Sequence, residues 1–352
     1  MRKFLTLVLF SIIFLDINAR EIEVSINSRT GVKLGGILSI PDVYNKNIMV
    51  ILISHMIDGP RAREDLYKVM ADSLLSNGIA SFRYHNRIVS DSIENRFTYL
   101  NTSYIDSSED CIDIFNQLQD MPQLTGYRIG FCGISECGMV ACAAATKTDC
   151  DFCVSMATPT MDGFWQHCYS SFSQYIKLML GNSRADAINM NFKLLELGAC
   201  RTSPSEVKTF IKSLYDQKKI PEKEYIKTDS IIDDVIKNKS VKHEQDMDRY
   251  SLSQYADSIK CPVLYVAFKY DERLNALHEL AWFEKIMFQH GKRDIRTAVV
   301  DCSHQMMTKE DFFFYDRDMH YGQNLEKKPN RAKLPDVIST LVGYLNDLYA
   351  RK

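Results

Sequence analysis

Basic excess is missing from this chain. Its 352 residues hold 43 lysines and arginines against 45 aspartates and glutamates, for a net charge of −2. Without surplus cations there is no electrostatic footprint for a phosphate backbone, which excludes nucleic acid as the expected partner. A long apolar run is missing too. The N-terminus reads MRKFLTLVLFSIIFLDINAR, and its apolar part from Leu5 to Leu15 is too short to span a bilayer. Arg2 and Lys3 before that run, and the small Ala19 after it, predict a signal peptide over residues 1–19 rather than an anchor. No cysteine follows the run, so a lipid anchor is not indicated, and no later stretch is apolar enough to insert stably in a membrane. The expectation is an exported protein, periplasmic or secreted, soluble once the leader is gone. A metal or redox framework is missing as well. Cys150-Asp-Phe-Cys153 has the right spacing, but no second such pair accompanies it. The ten cysteines are scattered through apolar runs, where Cys acts as a small buried hydrophobe. One or two disulfides are compatible with export, and no pairing can be named from spacing. There is no internal repeat, and the oligomeric state is not encoded in any visible pattern.

What is present is globular composition, 45% hydrophobic and 25% charged, in a length that suits one large α/β domain with an insertion. Residues 21–26 and 32–41 alternate on either side of a Gly31-containing loop and predict a hairpin. A continuous apolar run at 48–54 predicts a strand buried on both faces. Residues 79–85, 127–133, 151–157, 261–268 and 295–301 complete the strand set. Helical periodicity covers 66–78, which ends in Asn77-Gly78, and also 107–121, the Ala-rich run after Ser135, and 334–349. Alternating strand and helix predicts a mostly parallel sheet with helices on both faces. The alternation breaks between about Pro159 and Tyr255. The predicted organisation is therefore a core of 20–158 and 256–352 with a helical cap inserted at 159–255. The lysine-rich part, 207–242, reads as a solvated face. The aromatic stretch DGFWQHCYSSF (162–172) either lines an entrance or packs the cap on the sheet.

One strand-to-helix junction carries chemistry. In RIGFCGISECGMVACAAATK (128–147) a buried strand ends at Gly133-Ile134-Ser135 and a helix begins at once. A nucleophilic serine needs exposure, a base and donors for an oxyanion. A tight turn supplies exposure, and the helix start supplies backbone N–H groups, that of Glu136 first. An elbow of this kind orders its partners serine, acid, histidine. Asp271 follows the strand CPVLYVAF, and His304 follows IRTAVVD, so all three fall at carboxyl ends of strands, where sites gather in open α/β sheets. His304 is the candidate base and Asp271 the group that orients it. His278, His290 and His320 sit within or beyond helical patterns. Asp301, still in the strand, should point elsewhere. His55 reads as structural beside a loop, HMIDGPRARED, whose Met56 or Ile57 would offer the second oxyanion N–H. Each residue also has a plainer reading, Asp271 as a turn residue and His304 as a loop histidine.

These residues together resemble the α/β-hydrolase superfamily, in particular an exported bacterial esterase-like group related to dienelactone hydrolases and serine aminopeptidases. That group's elbow, G-H-S-E-G-G-[ML]-[IV]-A, is matched by Gly133-Ile-Ser135-Glu-Cys137-Gly-Met-Val-Ala141. GPRARED (59–65), MADSLLSNGIASFRYHNR (70–87), CPVLYVAFKYDERLNA and VVDCSHQMM match its other segments in order, and the likeness covers nearly all of the expected mature chain. Departures are Ile134 for histidine, Cys137 for glycine, His85 for an acid, Ile88 for glycine, and a longer oxyanion loop. The resemblance implies a carboxylesterase that uses Ser135, His304 and Asp271, with backbone donors at Ile57 and Glu136, a small-molecule ester as substrate, and no metal or organic cofactor. A peptidase, or a degenerate hydrolase fold that binds without turnover, are the alternatives.

Overall fold

The computed structural model describes residues 19–42, 45–53, 60–84, 102–163, 193–194, 196–197, 201–219, 222–239, 242–271, 273–311 and 330–350. Residues 1–18, the loop holding His55, Met56 and Ile57, the positions His85, Ile88 and His320, and most of the 162–172 aromatic stretch lie outside them.

An eight-stranded sheet forms the centre, in the order β1-β2-β4-β3-β5-β6-β7-β8. β1 (Ala19–Asn27) and β2 (Lys33–Pro41) make the expected antiparallel hairpin, and β2 also runs antiparallel to β4 (Ala80–Tyr84). β3 (Ile48–Ile53), β5 (Arg128–Ile134), β6 (Phe152–Met156), β7 (Val263–Phe268) and β8 (Ile295–Val300) are parallel to their neighbours. The continuous apolar run is explained by two-sided burial. In β3, Met49, Ile51 and Ile53 face one core layer, while Ile48, Val50 and Leu52 face the other.

Five helices cover those two faces. α1 (Pro60–Ser76) packs on one face. α2 (Tyr104–Gln119) and α3 (Glu136–Ala145) pack on the other. α1 begins six residues before the apolar periodicity does, because its first turns are charged and carry no burial signal. α2 starts at a capping box in which Ser103 accepts from Ile105 N–H and the Asp106 carboxylate accepts from Ser103 N–H.

The chain between β6 and β7 is helical where described: α4 (Pro204–Asp216), α5 (Thr228–Lys239) and α6 (Lys242–Arg249). It has a small core of its own, built by Val207, Ile211, Leu214 and Ile232 with Leu194 and Leu197. It meets the sheet domain at α2, where Lys242 pairs with Asp106 at 2.6 Å and Tyr104 meets the rings of Tyr250 and Tyr255 edge to face. α7 (Ala276–Gln289) then joins α2 and α3, and α8 (Leu334–Ala350) joins α1. Among the described residues, no helix is long and apolar enough to cross a membrane.

Candidate active site

The loop between β5 and α3 is a reversal so tight that Ser135 takes φ 59° and ψ −129°, a region that β-carbon-bearing residues rarely occupy. Two bonds hold it there: Ser135 N–H donates to the Met156 carbonyl at 2.8 Å, and its own carbonyl accepts from Gly138 N–H at 2.9 Å. The side chain is therefore held above the ends of β5 and β6, half-buried rather than sealed.

Two glycines allow this. A methyl on Gly133 would lie 2.0 Å from the Cys137 carbonyl oxygen, so the first turn of α3 lies directly over the end of β5. A methyl on Gly138 would lie 1.8 Å from Thr158 Oγ1 and 2.6 Å from Ser155 Oγ. Cys137, the departure from the family pattern, has ordinary helical backbone and is buried against the core. The close approaches fall on Gly133 and Gly138, so a small apolar side chain fits at 137.

His304 comes from the loop after β8. That loop is wound on itself: Ser303 N–H donates to the Met307 carbonyl, Met307 N–H donates to Ser303 Oγ, and Met306 sits at φ 59°. His304 is 6% exposed. Its Nε2 lies 3.1 Å from Ser135 Oγ, and its Nδ1 lies 2.7 Å from Asp271 Oδ2. The remaining oxygen of Asp271, Oδ1, accepts from the Arg273 and Leu274 N–H groups at 2.8 and 2.9 Å. Both carboxylate oxygens are thus engaged, one by backbone and one by imidazole. That arrangement fixes the ring and leaves Nε2 aimed at the serine, the geometry for moving a proton off Oγ.

Asp301 lies one residue past β8 and pairs with Lys269 at the surface instead. His278 lies against Met161 Sδ, and His290 closes α7 against Asp257. Glu136 opens α3, where backbone N–H groups precede the first acceptor within the helix. The candidate donor Ile57 lies outside the described residues.

Sequence reasoning missed one buried acid at this edge. Glu279, 1% exposed in α7, accepts from Thr160 N–H at 2.7 Å and Met161 N–H at 3.2 Å, and also from Thr160 Oγ1. It fastens the segment leaving β6 to the helix that follows Asp271. Burial raises its pKa above the usual carboxylate value, against the lowering effect of those hydrogen bonds. An acid within the otherwise apolar ALHELAWF was the available signal, but nothing in the sequence pointed to a partner 119 residues away.

No protein-family model matches the sequence, and no curated protein is similar to it by sequence. Solved structures are similar in fold. A thermostable carboxyl esterase from Bacillus coagulans matches over 94% of this chain and 99% of its own, with a TM-score of 0.54 at 12% identity. An esterase from Pyrococcus furiosus matches over 90% of this chain and 93% of its own, at 0.51 and 15% identity. An acylaminoacyl peptidase from Pyrococcus horikoshii matches over 93% of this chain but 42% of its own, at 0.52 and 15% identity. Together with the strand order, these likenesses identify the fold as that of the α/β-hydrolases.

Proposed function

We propose that this chain is a serine hydrolase that cleaves carboxylic esters of small molecules. The reading rests on one observation, the continuous relay from Ser135 Oγ through His304 to Asp271. In the proposed cycle His304 Nε2 takes the serine proton as Oγ attacks the ester carbonyl. Asp271 stabilises the imidazolium and keeps the ring in place. The negative oxygen of the tetrahedral intermediate is held by backbone N–H groups, Glu136 from the helix start and Ile57 from the loop after β3. His304 returns the proton to the departing alcohol. Water, activated by the same imidazole, then releases the acyl group from Ser135.

The chain between β6 and β7 is proposed to act as a cap over residues 159–255 that shapes the acyl or alcohol pocket, since insertions at strand ends commonly set specificity. Residues 1–19 are proposed to be a signal peptide for export to the periplasm or medium. A peptidase is the second reading, favoured by the likeness to the Pyrococcus horikoshii acylaminoacyl peptidase.

The test is labelling with a fluorophosphonate serine probe, on the protein and on Ser135→Ala, followed by comparison of a short-chain chromogenic ester with a chromogenic aminoacyl amide. Labelling that depends on Ser135, with the ester preferred, supports the proposal. Absence of labelling in the folded protein sinks it in favour of a non-catalytic binding role. Preference for the amide replaces the esterase with the peptidase.

A further inference from the structure

At the opposite end of β6 and β7 from the serine, four cysteines cluster on one face of the sheet. Cys142 lies on α3, Cys153 on β6, Cys150 just before β6, and Cys261 just before β7. Cys142 and Cys153 are sealed in the core. The other two differ. Cys150 Sγ lies 3.5 Å from Cys261 Sγ, and Cys261 is half-buried and reachable from solvent. The two strand starts are held in register by Cys153 N–H donating to the Pro262 carbonyl at 3.0 Å, so the pair is brought together by the sheet itself. Among the described residues, no three His, Cys, Asp or Glu are arranged to hold a metal ion.

We propose that Cys150 and Cys261 form a disulfide that closes the entire β6–β7 connection into a loop. Sulfurs already side by side need only a small movement to bond. The hydrogen bond from one sulfur to the other also favours a thiolate at Cys150, against its burial.

The oxidant is a disulfide, either a small molecule such as oxidised glutathione or a protein thiol oxidant. Cys150, the thiolate of the pair, takes the Cys261 proton as Cys261 Sγ attacks one of the oxidant's sulfurs, forming a mixed disulfide and expelling the first thiolate. Cys150, once that proton has passed to solvent, attacks Cys261 Sγ and expels the second. Two electrons and two protons leave the protein, and the oxidant is reduced to two thiols.

The consequence lies in the unfolded chain. The bond joins residues 111 apart and encloses all the helices between β6 and β7. A loop of that length strongly restricts the denatured ensemble. The native sheet already holds the two ends together, so the folded state changes little.

The experiment equilibrates the full-length protein in glutathione buffers of graded redox ratio, alkylates free thiols, and maps linked peptides by mass spectrometry. A Cys150–Cys261 linked peptide that appears with oxidation, lighter by two hydrogens, is the expected result. The oxidised protein should melt about 5 °C above the reduced form. C261S should lose the linked peptide and melt with the reduced wild type. The comparison of oxidised with reduced wild type needs no variant, so a misfolded C261S does not blunt the test. The proposal is overturned if both thiols stay alkylated at the oxidising limit, if Cys261 pairs with Cys142 or Cys153 instead, or if linkage leaves the melting temperature unchanged.

Discussion

The two ends of the parallel sheet solve the same backbone problem in opposite ways. Where strands begin, left-handed turns are taken by glycine or asparagine: Gly78 before β4, Gly126 before β5, Gly291 before β8 and Asn47 before β3 all have positive φ. Where strands finish, positive φ falls on Ser135, Ala157 and Met306, which carry β-carbons. The first solution is the more relaxed, because glycine has no β-carbon to clash and asparagine tolerates the left-handed region better than other residues. The second stores strain, of about 1–2 kcal/mol per residue. The strained end is also where Ser135, Asp271 and His304 meet. This contrast singles out the same edge independently of any motif, which supports the proposed site.

The largest test of that contrast is chemical. Ser135→Ala should lower ester turnover by about 10⁴-fold or more, with His304→Ala comparable and Asp271→Asn about 10⁴-fold. Melting temperatures should stay near wild type, and a variant that loses activity by unfolding would break the comparison. Next is the pair of close approaches. Gly133→Ala and Gly138→Ala should each cost about 2–3 kcal/mol in chemical denaturation, since their methyls meet backbone or a packed threonine.

At the relaxed end the cost is purely conformational. Gly126→Ala and Gly291→Ala have no atom within 4 Å of the added methyl, yet should lose about 1 kcal/mol because alanine resists positive φ. Ala157→Gly should do the reverse at the strained end, gaining less than about 1 kcal/mol, since the freed strain is partly offset by a looser unfolded chain. Equal signs for the two substitutions would refute the proposed division between the ends.

The smallest effect concerns Glu279, which fastens the strained edge. Its folded pKa is raised, so the native state binds this proton more tightly than the unfolded chain does. Its contribution is therefore fully present below the usual glutamate value of 4.5 and is lost as pH rises through the raised folded value. Glu279→Gln keeps an acceptor for Thr160 and should flatten that part of the stability–pH curve, read from melting temperatures across pH.

Much of this was legible in the sequence. β3 was readable because two-sided burial leaves an unbroken apolar run. The order of strands and helices implied the parallel sheet. Ser135, Asp271 and His304 were readable as strand-end residues, and the hydrogen bonds between them are now on view; their catalytic use is the proposal under test. Other features were hidden for a physical reason. The early start of α1 is charged and unpatterned. The need for glycine at 138 comes from Thr158, just past the end of β6, a contact between segments distant in sequence. Glu279 with Thr160, and Cys150 with Cys261, are pairs more than a hundred residues apart. Local periodicity carries no record of such distant partners.

The separation of 169 positions between Ser135 and His304 also sets a timetable. A ribosome releases the chain from its N-terminus, and domains of this kind fold as units. Ser135 is made when more than half the chain is still to come, and its proposed base His304 arrives only after the last strand. A nascent or truncated chain ending before β8 therefore carries a serine with no proton acceptor. The proposed activity switches on only with completed synthesis and closure of the sheet's far edge, so unfinished copies are chemically silent wherever they accumulate.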